Sequence, residues 1–148
     1  MANVNMTPEV VRRVQVLQAE IDQLQMNLNA IEQQIELVSR AINSLESAIA
    51  IQNELEDKKE GDSMLIPIGG SNLIHCTVKD PNNVYISLGA GITTQISIEE
   101  AITRNKDQVK NLVSSINNLQ NHFSQNSQAI NTKRQELIQL AQQYQILD

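Results

Sequence analysis

The residues that come nearest to a chemical motif are two glycines and a threonine, in the order Gly89-x-Gly91-x-x-Thr94. This spacing is that of a dinucleotide-binding fingerprint, in which glycines let the backbone approach a pyrophosphate at the start of a helix. Here threonine stands where the third glycine belongs, and the residues around it alternate apolar and polar as a strand does. We therefore expect no phosphate site at this position.

The two histidines and the single cysteine are the other candidates for metal binding or nucleophilic catalysis. His75 and His122 have no histidine or cysteine at a spacing that would supply a second ligand. Cys76 lies in an apolar strand pattern, whereas a reactive thiol needs basic neighbours that lower its pKa. The one dense charge run, residues 54–62, is typical of a solvated helix end. The sequence thus predicts no enzyme, no metal site and no cofactor.

Charge and composition narrow the class of protein. The 148 residues carry a net charge of −6, and aromatic residues make up only 2% of them. A nucleic-acid-binding surface is basic, so we expect no nucleic-acid partner. The sequence shows no signal peptide and no apolar run long enough to span a bilayer, and one cysteine cannot form an internal disulfide. We therefore expect a cytoplasmic protein without a membrane partner.

A heptad repeat fills the first third of the chain. Thr7-Pro8 is typical of a helix start, because threonine caps the free amides and proline fits the first helical position. Apolar residues then recur at alternating intervals of four and three, which is the seam of a coiled coil. The a positions run from Val14 to Ile49 and the d positions from Val10 to Leu45. We predict a helix over residues 8–60, with Gly61 as its stop.

The segment 64–97 alternates with period two and contains four of the five glycines. Turn residues cluster at 69–72, 80–83 and 89–91, so we predict four short strands in two hairpins. So little sheet cannot bury a face by itself, and we expect its apolar residues to pack against strands of other chains. The predicted assembly residues are Leu65, Ile66, Ile68, Ile74, Cys76, Val78, Val84, Ile86, Leu88, Ile92 and Ile96.

A second heptad helix is predicted over residues 98–147, with Ser97 as its N-cap. At about 1.5 Å per residue, each helix would be about 75 Å long. If the helices pair antiparallel, residues whose numbers add to 154 face each other, because only this register leaves both ends flush. The predicted fold class is therefore α+β: one domain over residues 1–148, in which a long antiparallel coiled-coil hairpin carries two central β-hairpins.

Apolar residues also lie off the seam at the open end of the predicted coiled coil, for example Val11 and Val16. Exposed apolar groups at a helix end favour binding of other apolar surfaces. Ordinary scatter explains them equally well, because Met26, Leu37 and Val113 are off the seam elsewhere. The candidate binding residues at this end, the tip, are Met6, Val10, Val11, Val14, Leu140, Tyr144, Ile146 and Leu147.

Three central motifs resemble the α-type subunit of prefoldin, the archaeal version especially. They are residues 65–69 (LIPIG), residues 84–91 (VYISLGAG) and residues 97–102 (SIEEAI). The resemblance implies a hexamer of two α-type and four β-type subunits, in which the strands form a β-barrel platform. It also implies a chaperone that holds non-native proteins at the coiled-coil tips without ATP and passes them to a group II chaperonin. The alternative that we keep open is a structural coiled-coil tether or a prefoldin-like filament protein without client binding.

Overall fold

The computed structural model describes residues 7–144 and contains two long helices separated by two β-hairpins. The helices are α1, Pro8–Glu56, and α2, Ile98–Gln143. The strands between them are β1, Ser63–Gly69, β2, Asn72–Thr77, β3, Asn83–Gly89, and β4, Ile92–Ser97. This is the α+β fold that the sequence predicts. None of the helices in the described part of the chain is long and apolar enough to cross a membrane.

Helix α1 begins as predicted and ends earlier than predicted. The Thr7 hydroxyl accepts a hydrogen bond from the Val10 amide at 3.4 Å, which caps the first turn. The helix ends at Glu56, four residues before the predicted end at residue 60. The amide of Lys59 is bonded instead to the carboxylate of Asp62 at 2.8 Å, and Gly61 (φ +92°) donates to the Val78 carbonyl. These bonds to a turn and to a residue after β2 replace the last helical turn.

The two hairpins repeat one design at an interval of twenty residues. Strand β1 pairs antiparallel with β2, and β3 pairs antiparallel with β4, as two separate two-stranded sheets. Each has an irregularity just before its turn, between Pro67 and Gly69 in the first and between Ser87 and Gly89 in the second. Both two-residue turns lie in the left-handed region, where Ser71 (φ 60°) and Ala90 (φ 49°) accept a conformation that usually favours glycine.

Helix α2 starts directly from the last strand. Its cap is Ser97, whose hydroxyl accepts a hydrogen bond from the Glu100 amide at 3.2 Å. The Ile98 amide donates to the Asn82 carbonyl at 2.9 Å, which fixes the first turn of the helix beside the start of β3. The helix runs to Gln143, and its predicted end at residue 147 lies outside the described residues.

The chain divides into two compact units, the first of which contains the described residues 7–38 and 115–144. Here the helices pack along their seams, and the core consists of Ile21, Leu28 and Ile130, with Leu24, Phe123 and Leu137 packed against it. Leu17 has no exposed surface at all. Lys133 donates to Glu20 across the helices, and these residue numbers add to 153, one short of the predicted sum. Heptad packing thus holds this unit together.

The second unit, residues 39–114, contains both hairpins and the adjoining helix ends. Its buried apolar residues lie at the start of β1, just after β2 and in the first turns of α2: Met64, Val78, Ile98, Ala101 and Ile102. The side-chain amide of Asn105, which falls at a d position of the heptad repeat in α2, donates to the Gln52 side chain at 3.1 Å. The polar seam residue is therefore satisfied by the opposite helix, which reduces the cost of burying it.

Candidate functional site

The first candidate surface comprises the residues of the first unit nearest the chain termini, residues 7–17 and 137–144, which we call the tip. Of the predicted client-binding residues, Val10 is buried and Val14, Leu140 and Tyr144 are half-buried. They form part of the helix seam. Met6, Ile146 and Leu147 lie outside the described residues. Val11 is the predicted tip residue that is clearly exposed, at 37%.

Two further apolar side chains are exposed at the tip. Val16 is 40% exposed and Ile138 is 50% exposed. Both lie off the a and d positions, which is the reason they face solvent while Val10 and Leu17 do not. The residues at the a and d positions are therefore covered where the two helices pack together. The surface available to an apolar ligand consists of the residues outside these positions.

An ion pair joins the two helices at the inner border of the tip. The Arg13 guanidinium contacts the Glu136 carboxylate at 2.7 Å, and both side chains are close to half exposed. A little further along, Lys133 contacts Glu20 at 2.7 Å. The hydrogen bond from Lys133 lowers the pKa of Glu20 from its ordinary value. Exposed pairs of this kind contribute little free energy, so their main effect is to favour one helix register.

The second candidate surface is the apolar surface of the two hairpins. In the first hairpin, Met64 faces Cys76 and Ile66 faces Ile74 across the strands, so these four residues share one face. In the second hairpin Val84 faces Ile96 and Ile86 faces Thr94 in the equivalent positions. Most of these side chains are only half-buried within the chain. Each hairpin thus has an apolar face that its own chain leaves partly uncovered.

Not every predicted assembly residue lies on that face. Leu65 faces His75 on the opposite side of the first hairpin. The irregularities next to the turns interrupt the alternation, and Ile68 and Leu88 there are 63% and 55% exposed. Val78 differs from its prediction: it follows β2, is buried in its own chain, and exchanges two backbone hydrogen bonds with Gly61 and Asp62. It therefore stabilises the fold of its own chain.

The exposed large apolar residues of the described chain concentrate on the hairpins. Those of the second unit are Leu65, Ile68, Leu73, Ile74, Tyr85, Leu88, Ile92 and Val113, and all except Val113 belong to the strands. Within residues 7–144, each two-stranded sheet also leaves one edge of every strand without a neighbouring strand. Unpaired edges and exposed apolar side chains together are typical of a sheet that pairs with another chain.

The residues that could do chemistry are not brought together. Cys76 is half-buried opposite Met64, and His75 is exposed opposite Leu65. His122 lines an open groove between the helices of the first unit. Among residues 7–144 no three side chains of the kinds that ligate metals are placed to hold an ion. The geometry therefore favours binding through apolar surfaces.

Comparison with known proteins decides the family. The model of the prefoldin subunit family matches residues 17–143, which include most of both helices and all four strands. The chain belongs to the prefoldin family. The predicted resemblance to the archaeal α-type subunit is confirmed by the curated relatives, which are named prefoldin subunit alpha.

Three archaeal prefoldin relatives illustrate the degree of similarity. The chain is 28% identical to prefoldin subunit alpha of Methanosarcina mazei, over 84% of this chain and 92% of the relative. It is 30% identical to that of Methanocorpusculum labreanum, over 87% and 92% of the two chains. For Methanospirillum hungatei the identity is 33%, over 68% and 71%. The family and these names support a prefoldin chaperone role.

A solved structure shows the same fold. It is the cryo-EM structure of filamentous PFD from Methanocaldococcus jannaschii, which is similar to this chain with a TM-score of 0.62. The sequences are 21% identical, and the match covers 82% of this chain and 97% of the solved one. The order of long helix, two hairpins and long helix is thus a prefoldin fold.

Proposed function

We propose that this chain is the α-type subunit of an ATP-independent holdase chaperone, and that its two hairpins join strands of β-type subunits in a β-barrel platform. The observation that carries the proposal is the half-covered apolar face of each hairpin, around Ile66 and Ile86, on sheets of only two strands. An isolated two-stranded sheet is only marginally stable in water. Strands of partner subunits therefore cover the apolar face that the chain leaves exposed. We further propose the family's hexamer of two α-type and four β-type subunits.

We propose that capture of non-native proteins occurs through exposed apolar residues of the tip, chiefly Val11, Val16 and Ile138. Their exposure of 37–50% supports this assignment. Each contact is weak, because a single exposed valine or isoleucine removes little apolar surface from water. Several tips of one assembly acting together would give a useful overall affinity. The held protein then passes to a group II chaperonin.

The test is suppression of aggregation by the assembled complex. A chemically unfolded client is diluted into buffer with the complex at about one to one, and light scattering is followed over time. The double variant Val11→Gln/Ile138→Gln should protect the client less well, by about two- to fivefold in the half-effective concentration, because two apolar contacts are replaced by amides. Val113→Gln removes an equally exposed apolar residue from the second unit and should leave protection unchanged.

A structural tether or filament protein is the second candidate function. The same half-covered hairpin faces favour it, since they can pair with further copies of this chain as well as with other subunits. A complex that leaves light scattering unchanged, and that forms extended assemblies by electron microscopy, would select this function over the chaperone. Equal protection by the tip variant and the unmodified complex would instead remove the tip from the chaperone mechanism.

A further inference from the structure

The two hairpins match position by position, with one difference in their backbones. Each has six strand pairs in the same register and the same irregularity just before its turn. Pro67 of β1, opposite Leu73, therefore corresponds to Ser87 of β3, opposite Thr93. Proline has no amide hydrogen, so the first hairpin lacks a backbone donor that the second one has.

Backbone hydrogen bonds show in which direction the missing donor would point. In an antiparallel pair, residues whose backbone groups bond to the partner strand alternate with residues whose groups point away from it. The Val78 amide donates to the Asp62 carbonyl at 2.8 Å, and this pair continues the register of the first hairpin. Alternation from Asp62 directs the backbone groups of Ile66 toward β2 and those of Pro67 away from it. The nitrogen of Pro67 thus lies at the outer edge of β1, the side that faces away from β2.

The same alternation applies to the second hairpin. The Ile98 amide donates to the Asn82 carbonyl at 2.9 Å, in register with the strand pairs of β3 and β4. The backbone groups of Ile86 therefore point toward β4, and the amide of Ser87 points to the outer edge of β3. A strand added there finds donors and acceptors along the whole edge. At the outer edge of β1 a proline ring takes the place of the donor near the turn.

We propose that Pro67 sets the specificity of assembly: it stops a strand of a partner subunit from pairing along the full outer edge of β1, whereas the outer edge of β3 accepts such a strand in full. The inference rests on the proposed function for the existence of partner subunits. Proline at a sheet edge prevents unwanted strand pairing, because it offers no donor and its ring obstructs the neighbouring strand. Without Pro67, two hairpins of the same register would offer a partner strand two equivalent edges.

The occupant of the outer edge of β3 is a strand of a partner subunit with apolar side chains at alternate positions. Its backbone would bond to the outward amides and carbonyls of Tyr85 and Ser87. Its apolar side chains would lie beside Val84 and Ile86, which the chain itself leaves half-buried. The open edge and the half-covered face belong to the same strand, so one added strand satisfies both.

The experiment compares variants of the complex produced together with its partner subunits, by native mass spectrometry over a dilution series. Ser87→Pro removes the outward donor from β3. Ser87→Ala is the matched control, because it changes the same side chain and keeps the amide. Proline already occupies the equivalent position of the first hairpin, so Ser87→Pro should leave the far-UV circular dichroism spectrum of the separated subunit unchanged. Pro67→Ser gives β1 the missing donor.

Ser87→Pro should weaken association with the partner subunits at least about tenfold, because it removes a hydrogen bond and places a ring against the added strand. Ser87→Ala should associate within twofold of the unmodified chain. Pro67→Ser should form species with additional subunits besides the normal complex, because a second edge then accepts a strand in full. Equal association of the two Ser87 variants, or a single unchanged mass for Pro67→Ser, would overturn the proposal. If Ser87→Pro alters the dichroism spectrum, the masses formed by Pro67→Ser decide.

Three further outcomes separate this proposal from the others. If the unmodified chain forms oligomers without partner subunits, and Ser87→Pro abolishes them, the occupant is a second copy and the proposal is wrong. A complex that protects clients while both Ser87 variants associate equally keeps the chaperone function and loses only the role of Pro67. A complex that shows the expected variant effects but suppresses no aggregation keeps the role of Pro67 and loses only the chaperone function.

Discussion

Replacing Ile86 by aspartate should break the assembly. Ile86 lies on the apolar face of the second hairpin, opposite Thr94 and beside Val84 and Ile96. It is half-buried in the single chain, so a partner is needed to cover the rest of the side chain. Aspartate there forfeits about 1–2 kcal/mol of apolar burial, and the partner then has to cover an unpaired carboxylate at a further cost of several kcal/mol.

The expected loss of association free energy is about 4 kcal/mol or more for each contact between this hairpin and a partner. Such a loss lowers the association constant roughly a thousandfold. Native mass spectrometry of the complex produced together with its partner subunits measures this directly. Ser87→Asp is the matched control: it places the same charge one residue along the strand, on the exposed face where Ser87 faces Thr93. Circular dichroism of the separated variant subunit shows whether its helices remain.

The result that would refute this reasoning is an intact complex containing Ile86→Asp at micromolar concentration. The apolar face of the second hairpin would then not be the face that partners cover. Dissociation by Ser87→Asp as well would show that partners cover both faces of this hairpin. Loss of assembly by Ile86→Asp alone is the expected pattern.

Two further predictions concern the helices. Cysteines that replace Leu17 and Leu137 should crosslink, because residues whose numbers add to 154 face each other. Cysteines that replace Leu17 and Ile130 should not crosslink. The reverse pattern would mean that one helix is shifted by one heptad. Glu20→Gln should lower the midpoint of thermal unfolding slightly at neutral pH and leave it unchanged in acid. Thermal unfolding curves recorded at several pH values measure this effect. The pKa of Glu20 is lowered in the folded chain, so its contribution is present above the unfolded pKa and disappears as the pH falls through the folded one.

The sequence predicted the elements well because each was encoded locally. Unbroken steps of four and three residues indicated both helices, and Thr7 and Ser97 act as the expected caps. Period-two alternation and glycine turns indicated the two hairpins, which the structure confirms. The end of α1 was wrong by four residues for two reasons. The Asp62 carboxylate accepts a hydrogen bond from the Lys59 amide, three residues before it, and the Val78 carbonyl accepts one from the Gly61 amide. The first bond is local, whereas the second is tertiary and leaves no local pattern.

The surfaces were harder to predict than the elements. Val10 and Val11 are neighbours and equally apolar, yet the first is buried and the second exposed. Heptad position separates them, so the off-seam valine could have been chosen from the sequence.

The two hairpins place different demands on their partners, although they repeat one design. In the second hairpin the face opposite Ile86 carries the polar residues Ser87, Thr93 and Gln95 and one large apolar residue, Tyr85, which is 74% exposed. In the first hairpin the face opposite Ile66 carries Leu65 and Leu73, which are 51% and 58% exposed. Its strands are apolar on both faces, so one covering layer leaves leucines in water. We therefore expect partners to cover the second face of the first hairpin more fully than that of the second hairpin, which is mainly polar apart from Tyr85.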